Sequence, residues 1–264
     1  MKTVQPSTNQ NGFSKPLLVF IVLILIVTAT AAVYFLWWRP SDNSIKNAQS
    51  NVSTLKQSTS VTLPSYLGVL ANPGKIDPQI AAMFVREVET YNTALTALEN
   101  NAALQNSATA GPVFHDTYRK PLTQYGISLT SVATSIGTYG KMLVWCNAMT
   151  SSLKNVHSKS DFDMASADCS KTLANADTSA KNAFNDQFFA SYKEKAQTLI
   201  SALGQYYAAS KSDKTSANKA VAKASTELIN AASVTVDYGF NVPSSDAFNK
   251  LTQALNTEKQ SFIR

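Results

Sequence analysis

The chain has 264 residues and a formal net charge of +6, with 15% charged residues. Once an N-terminal apolar segment is subtracted, this length suits one large or two small domains, and we expect one. The cations form no basic patch, because they alternate with acids, as at Lys193, Glu194 and Lys195. Nucleic-acid binders cluster their cations or interleave them with stacking aromatics, so we expect no nucleic-acid partner.

A short polar tail, residues 1–15, precedes an uncharged apolar segment from Pro16 to Trp38. A helix of this length reaches roughly 34 Å at about 1.5 Å per residue, which is enough to cross a hydrocarbon core. Side chains typical of membrane interfaces stand at its far end: Tyr34, Phe35, Trp37, Trp38 and Arg39. We therefore predict a single transmembrane anchor over residues 16–38, in contact with membrane lipid.

Two other interpretations of this segment are open. The small residues Ala29 to Ala32 resemble the cleavage site of a secretory signal peptide. The apolar stretch continues to Trp38, which a signal peptide does not need, so we favour retention of the anchor. A buried helix of a soluble domain is the other interpretation, and it fits poorly because no polar residue interrupts Leu17 to Val27.

The orientation of the anchor has to be argued from the rest of the chain. Basic residues at its two ends nearly balance, with Lys2 and Lys15 before it and Arg39 and Lys46 after it, so the positive-inside rule gives no direction. A short tail, a low charge content and a cysteine pair favour a cytoplasmic N-terminus and an extracytoplasmic C-terminal domain at the cell membrane.

Beyond the anchor, apolar residues recur every three or four positions, which predicts an all-α fold. We expect residues 39–76 to form a stalk helix and a linker, with the linker over 62–74 because Pro64, Pro73 and Gly74 interrupt the pattern. Residues 77–264 are expected to form an antiparallel helical bundle of about five to six helices. Asp77 and Pro78 have the form of a helix start.

The clearest periodicity follows a predicted break at Gly111-Pro112 and begins near Pro121. Its apolar seam consists of Leu122, Tyr125, Leu129, Val132, Ile136, Tyr139, Leu143, Cys146, Thr150, Leu153 and His157. Small residues recur every seven positions beside the seam, at Gly126, Ala133 and Gly140. Mid-helix glycine costs about 1 kcal/mol relative to alanine. We interpret the small residues as the close approach of another helix, with a bend as the alternative.

Cys146 and Cys169 are the only cysteines, and they lie at equal distances from a turn predicted at residues 157–161, with Ser160 as the next N-cap. Residues equidistant from the turn of a helical hairpin lie side by side, and both cysteines fall on apolar seams. We therefore predict a disulfide, which requires Cα atoms roughly 4.4 to 6.8 Å apart. Two buried free thiols are the alternative.

No motif in the sequence indicates a catalysed reaction. His115 and Asp116 are adjacent and would face different directions on a helix. Glu87, Glu89 and Glu99 lack the Glu-x-x-His spacing of di-metal bundles. We expect no catalytic residue, no cofactor and no metal site.

Trp145 is the only tryptophan beyond the predicted anchor. Packing beside the disulfide is its ordinary explanation, and an exposed anchor for a partner is the sharper one, which makes Trp145 our candidate for partner contact. The leading hypothesis is a non-enzymatic extracytoplasmic module that binds or scaffolds a protein or another envelope component. A ligand-sensing ectodomain with a membrane partner and an unrecognised envelope enzyme are the alternatives.

Overall fold

A computed structural model describes residues 39–261 of the chain, and Thr28 before them. The described residues form a helical bundle with no strand, as the periodicity predicts. Seven of its helices have at least 17 residues: α1 (Arg39–Gln57), α2 (Pro78–Glu99), α3 (Arg119–Ser152), α4 (Lys159–Asn175), α5 (Ala190–Ala208), α6 (Lys214–Ala232) and α7 (Ser245–Ser261).

The long helices pack largely in chain order. Each of the helices α1 to α5 contacts the helix that follows it, and α7 returns to pack against α1. A segment without helix, residues 234–244, connects α6 to α7 and passes over α3, where Phe240 meets Tyr125 edge to face. This segment, which we call the strap, forms one wall of a cavity described below.

Two helix starts show how local sequence sets the boundaries. The side chain of Asp77 accepts a hydrogen bond from the Gln79 N–H at 2.6 Å, so the predicted start of α2 is confirmed. The predicted start of α4 is wrong: the N-cap is Ser158, not Ser160. Ser158 and Asp161 form a capping box, in which each side chain accepts the other's backbone N–H.

Residues 39–76 pack into the same core as the later helices. The apolar residues of α1 that recur every three or four positions are buried: Ile45, Ala48, Val52 and Leu55. The linker predicted over 62–74 is mostly helical, with an α-helix over Leu63–Leu70 and a short 3-10 helix over Pro73–Lys75. Pro64 follows a π-helical turn over Ser58–Thr62 that continues α1, so the chain stays helical through the proline.

The break predicted at Gly111-Pro112 instead lies at residues 107–109. A helix begins at Ala110, passes through a π-helical turn over Val113–Tyr118 and continues into α3. Pro112 belongs to the first turn of this helix and is tolerated there.

The helices α2 and α3 approach each other closely, as the small residues of α3 predict. A Cβ atom added to Gly126 would lie 2.8 Å from Asn92 Oδ1, and one added to Gly140 would lie 2.8 Å from the Ala81 Cβ. The seam of α3 is buried from Leu122 to Leu143. These contacts favour close packing over a bend as the reason for the glycines.

No helix in the described part of the chain is long and apolar enough to cross a membrane. The predicted anchor, residues 16–38, and the tail before it lie outside the described residues except for Thr28. The same applies to the predicted interface residues Tyr34, Trp37 and Trp38, while Arg39 begins α1.

Candidate docking surface and cavity on α3

A disulfide joins α3 to α4. The Sγ atoms of Cys146 and Cys169 are 2.02 Å apart and their Cα atoms are 4.7 Å apart, so the predicted pairing is present in the structure. Cys169 is buried and Cys146 is half-buried. The crosslink fixes the position of α3 on α4 at this level of the bundle.

Trp145 lies beside the crosslink but faces outward. Its side chain is 46% exposed, and that of the preceding Val144 is 50% exposed. Packing beside the disulfide therefore accounts for only part of the indole surface. A large aromatic side chain held in a fixed position and open to solvent is typical of interface anchors.

Two grooves run along either side of this part of α3. The groove between α2 and α3 has a volume of about 490 Å³ and a mostly apolar lining that includes Ala81, Ala82, Val85, Gly137 and Val144. The groove between α3 and α4 has a volume of about 390 Å³ and a charged lining that includes Lys141, Trp145, Asp168 and Lys171.

The two grooves meet on α3, because Thr138 and Lys141 line both. We call Thr138, Lys141, Val144 and Trp145 the α3 ridge. Thr138, Lys141 and Trp145 lie three or four positions apart and therefore share one helix face, and Val144 directly precedes Trp145. The ridge and its grooves form a continuous surface that is apolar on one side and charged on the other.

A separate cavity of about 270 Å³ lies between α3, residues 181–183 and the strap. Tyr125 lines it and is 2% exposed, and its hydroxyl has no hydrogen-bond partner among the described residues. Burial raises the pKa of Tyr125 to about 12. Most buried polar groups in native proteins are hydrogen-bonded, so this hydroxyl requires an explanation.

The residues considered as catalytic candidates do not come together in one site. The ring of His115 packs edge-on against Phe114 with centroids 5.0 Å apart, and Asp116 is exposed. Glu87 accepts a hydrogen bond from Ser58 at 2.5 Å. Within residues 39–261, no group of three or more His, Cys, Asp or Glu side chains could hold a metal ion.

The cavity was missed at the sequence level because its walls come from distant parts of the chain. A signal was present in the strap, where Tyr238 and Phe240 flank Gly239 outside any helical periodicity. Aromatic residues in such a segment have to pack against something, and here they cover Tyr125.

Comparison of the chain with protein-family models, with curated proteins and with solved structures finds no significant match.

Proposed function

We propose that the chain is a membrane-tethered, extracytoplasmic helical module that binds or scaffolds another envelope protein and has no catalytic role. The uncharged segment 16–38 supplies the tether, with residues 1–15 in the cytoplasm. The cysteine pair supports the extracytoplasmic side, because disulfides persist mainly in oxidising compartments.

The observation that carries the binding role is the exposure of Trp145 and Val144 on a helix whose opposite face is buried from Leu122 to Leu143. Interface hot spots are enriched in tryptophan and lie in positions that a partner can desolvate. The adjacent disulfide holds this part of α3 in place, so little conformational freedom is lost when a partner binds.

The partner that fits this surface is an amphipathic helix. The α2–α3 groove is lined by small residues, among them Ala81, Ala82 and Gly137, which allow a helix backbone to come close. Lys141 and Lys171 border the neighbouring groove, so acidic residues beside the apolar face of the partner would complement it.

Site-specific photo-crosslinking in intact cells tests the proposal. A benzophenone amino acid in place of Trp145 is expected to capture one specific envelope protein. The same amino acid in place of Ile229, an exposed apolar residue on α6, serves as the matched control and should not capture that protein. Capture of the same set of proteins from both positions, or of none, would contradict the proposed docking surface.

Substitutions on the ridge refine the test. Trp145→Ala is expected to weaken binding of the captured partner by about 30-fold, the effect of a typical hot spot of roughly 2 kcal/mol. Lys141→Glu should weaken binding of the partner more at low salt than at high salt, because it places a negative charge opposite the acidic residues of the partner. Ile229→Ala should leave affinity unchanged.

A further inference from the structure

We propose that the cavity between α3 and the strap binds a small saccharide. This goes beyond the protein-docking function and does not depend on it, because the cavity shares no residue with the α3 ridge. Two properties of the cavity support this proposal, which are the rigidity of its walls and the chemistry of its lining.

The strap is held in place from both sides. The Val236 N–H donates to the Ala71 carbonyl at 2.9 Å, and the Tyr238 hydroxyl donates to the Leu70 carbonyl at 2.9 Å. On the other side, the side chain of Gln187 exchanges two hydrogen bonds with the backbone of Asp237, at 2.9 and 3.0 Å. The cavity is therefore preformed, as small-molecule sites usually are.

The strap turns at Gly239, which has a φ of +56°, a conformation that favours glycine. Its N–H donates to the side chain of Asp237 at 3.1 Å. The rings of Tyr238 and Phe240, on either side of the turn, stack with centroids 5.6 Å apart. The turn brings both aromatic residues into the wall of the cavity.

The opposite wall is polar and internally connected. Asn182 donates to the hydroxyls of Ser131 at 3.2 Å and Ser135 at 3.0 Å, and its side-chain oxygen accepts the Asn185 N–H at 3.0 Å. Three of its hydrogen bonds are thus used to fix the side chain. Gln124 and Ser128 line the same cavity from exposed positions of α3.

The lining matches a sugar in its chemistry. Aromatic rings offer apolar faces for C–H groups, and carboxamides and hydroxyls offer both donors and acceptors for several ligand hydroxyls. Lys181 is the one charged residue in the lining, and its side chain is 90% exposed at the rim. An uncharged ligand with many hydroxyls fits this combination better than a phosphate or a purely apolar molecule.

The volume sets the size of the ligand. About 270 Å³ lies just below the range of roughly 300 to 1,000 Å³ usual for ligand pockets, so one or two sugar rings would fill it.

The test is saturation-transfer NMR with the full chain in a detergent that has no sugar head group. The probes are glucose, galactose, N-acetylglucosamine and their β-1,4-linked disaccharides, with adenosine as a competing ligand class. We expect transfer to at least one sugar, and transfer to the ring C–H protons that face Phe240. Absence of transfer to every sugar, or tighter binding of adenosine, would overturn the proposal.

Substitutions in the lining test whether the sugar binds in this cavity. Ser128→Trp, at an exposed position of α3, is expected to block the cavity and abolish transfer, and Gln124→Ala should weaken binding about 10-fold, one lost hydrogen bond to the sugar of roughly 1.4 kcal/mol. Gln197→Ala on α5 is the matched control and should leave binding unchanged. Far-ultraviolet circular dichroism and the unfolding midpoint verify that each variant is folded. Sugar binding that both cavity variants leave intact would place the ligand elsewhere and overturn the inference.

Discussion

Tyr91 and Tyr125 pack edge to face with ring centroids 5.5 Å apart, yet their hydroxyls differ. The Tyr91 hydroxyl donates to the Leu122 carbonyl at 2.9 Å, whereas that of Tyr125 has no partner in the described part of the chain. One ring thus ties α2 to α3, while the other carries a buried hydroxyl beside a cavity.

This difference predicts opposite results for two otherwise equal substitutions. Tyr91→Phe should lower the free energy of unfolding by about 1 kcal/mol, because it removes a hydrogen bond and leaves a carbonyl less satisfied. Tyr125→Phe should be neutral or slightly stabilising, because it removes a hydroxyl that is buried without a partner. Urea unfolding of the three proteins measures both effects. An equal loss in the two variants would mean that the Tyr125 hydroxyl is hydrogen-bonded.

The glycines of the chain allow a second matched comparison. Gly140→Ala should destabilise the domain by about 1 to 3 kcal/mol, because the added methyl would overlap the Ala81 Cβ and push α2 away from α3. Gly68→Ala lies at an exposed helical position where a Cβ meets nothing within 4 Å, so it should stabilise by about 0.5 to 1 kcal/mol. Thermal unfolding of both variants reveals the sign. Stabilisation by Gly140→Ala would contradict the close helix contact.

Removing the crosslink should weaken the domain substantially. The disulfide closes a loop over a sequence separation of 23, for which the chain-entropy account gives about 3 kcal/mol. We expect a double substitution, Cys146→Ser with Cys169→Ser, to lower the free energy of unfolding by this amount. Reduction of the unsubstituted protein should have a similar effect, and reductant should not change the double variant. Equal stability of the oxidised and reduced proteins would refute the predicted contribution.

Alkaline pH should unfold the domain through its buried tyrosines. Burial raises the pKa of Tyr125 to about 12 and those of Tyr91, Tyr139 and Tyr238 above their ordinary value of 10.0. Because folding raises these pKa values, the tyrosines of the unfolded chain lose their protons at a lower pH than those of the folded protein. The free energy of unfolding is therefore constant below pH 10 with respect to these groups and falls as the pH rises toward 12. Tyrosinate absorbance should therefore rise together with loss of helix. Full ionisation of all tyrosines near pH 10, with the helices intact, would contradict the burial.

The sequence could predict those parts of the fold in which burial follows a helical period. The seam from Leu122 to Leu143 follows from spacing alone, whereas the exposure of Trp145 was one of two interpretations that the sequence left open. The cysteine pairing follows from its symmetry about the turn. These features depend on residues close together in the chain or on opposite sides of one hairpin.

Other features depend on tertiary context. Pro64 and Pro112 were interpreted as breaks, although Pro64 follows a π-helical turn inside a continuous helical stretch and Pro112 lies in the first turn of its helix, where proline is tolerated. The bundle of about five to six helices predicted over residues 77–264 has six long helices, α2 to α7, but α1, which was expected to form a separate stalk, joins the same core. The cavity could not be predicted, because α3 and the strap are far apart in the sequence and come together only in the folded protein.

The most direct test of the tethered, extracytoplasmic module is protease accessibility in sealed membrane vesicles of known orientation. In right-side-out vesicles, added protease is expected to digest the domain that follows residue 38 and to leave a fragment that contains residues 1–38 in the membrane. In inside-out vesicles the domain should be protected until detergent is added. Protection in right-side-out vesicles with digestion in inside-out vesicles, or release of the chain from both without detergent, would contradict the account.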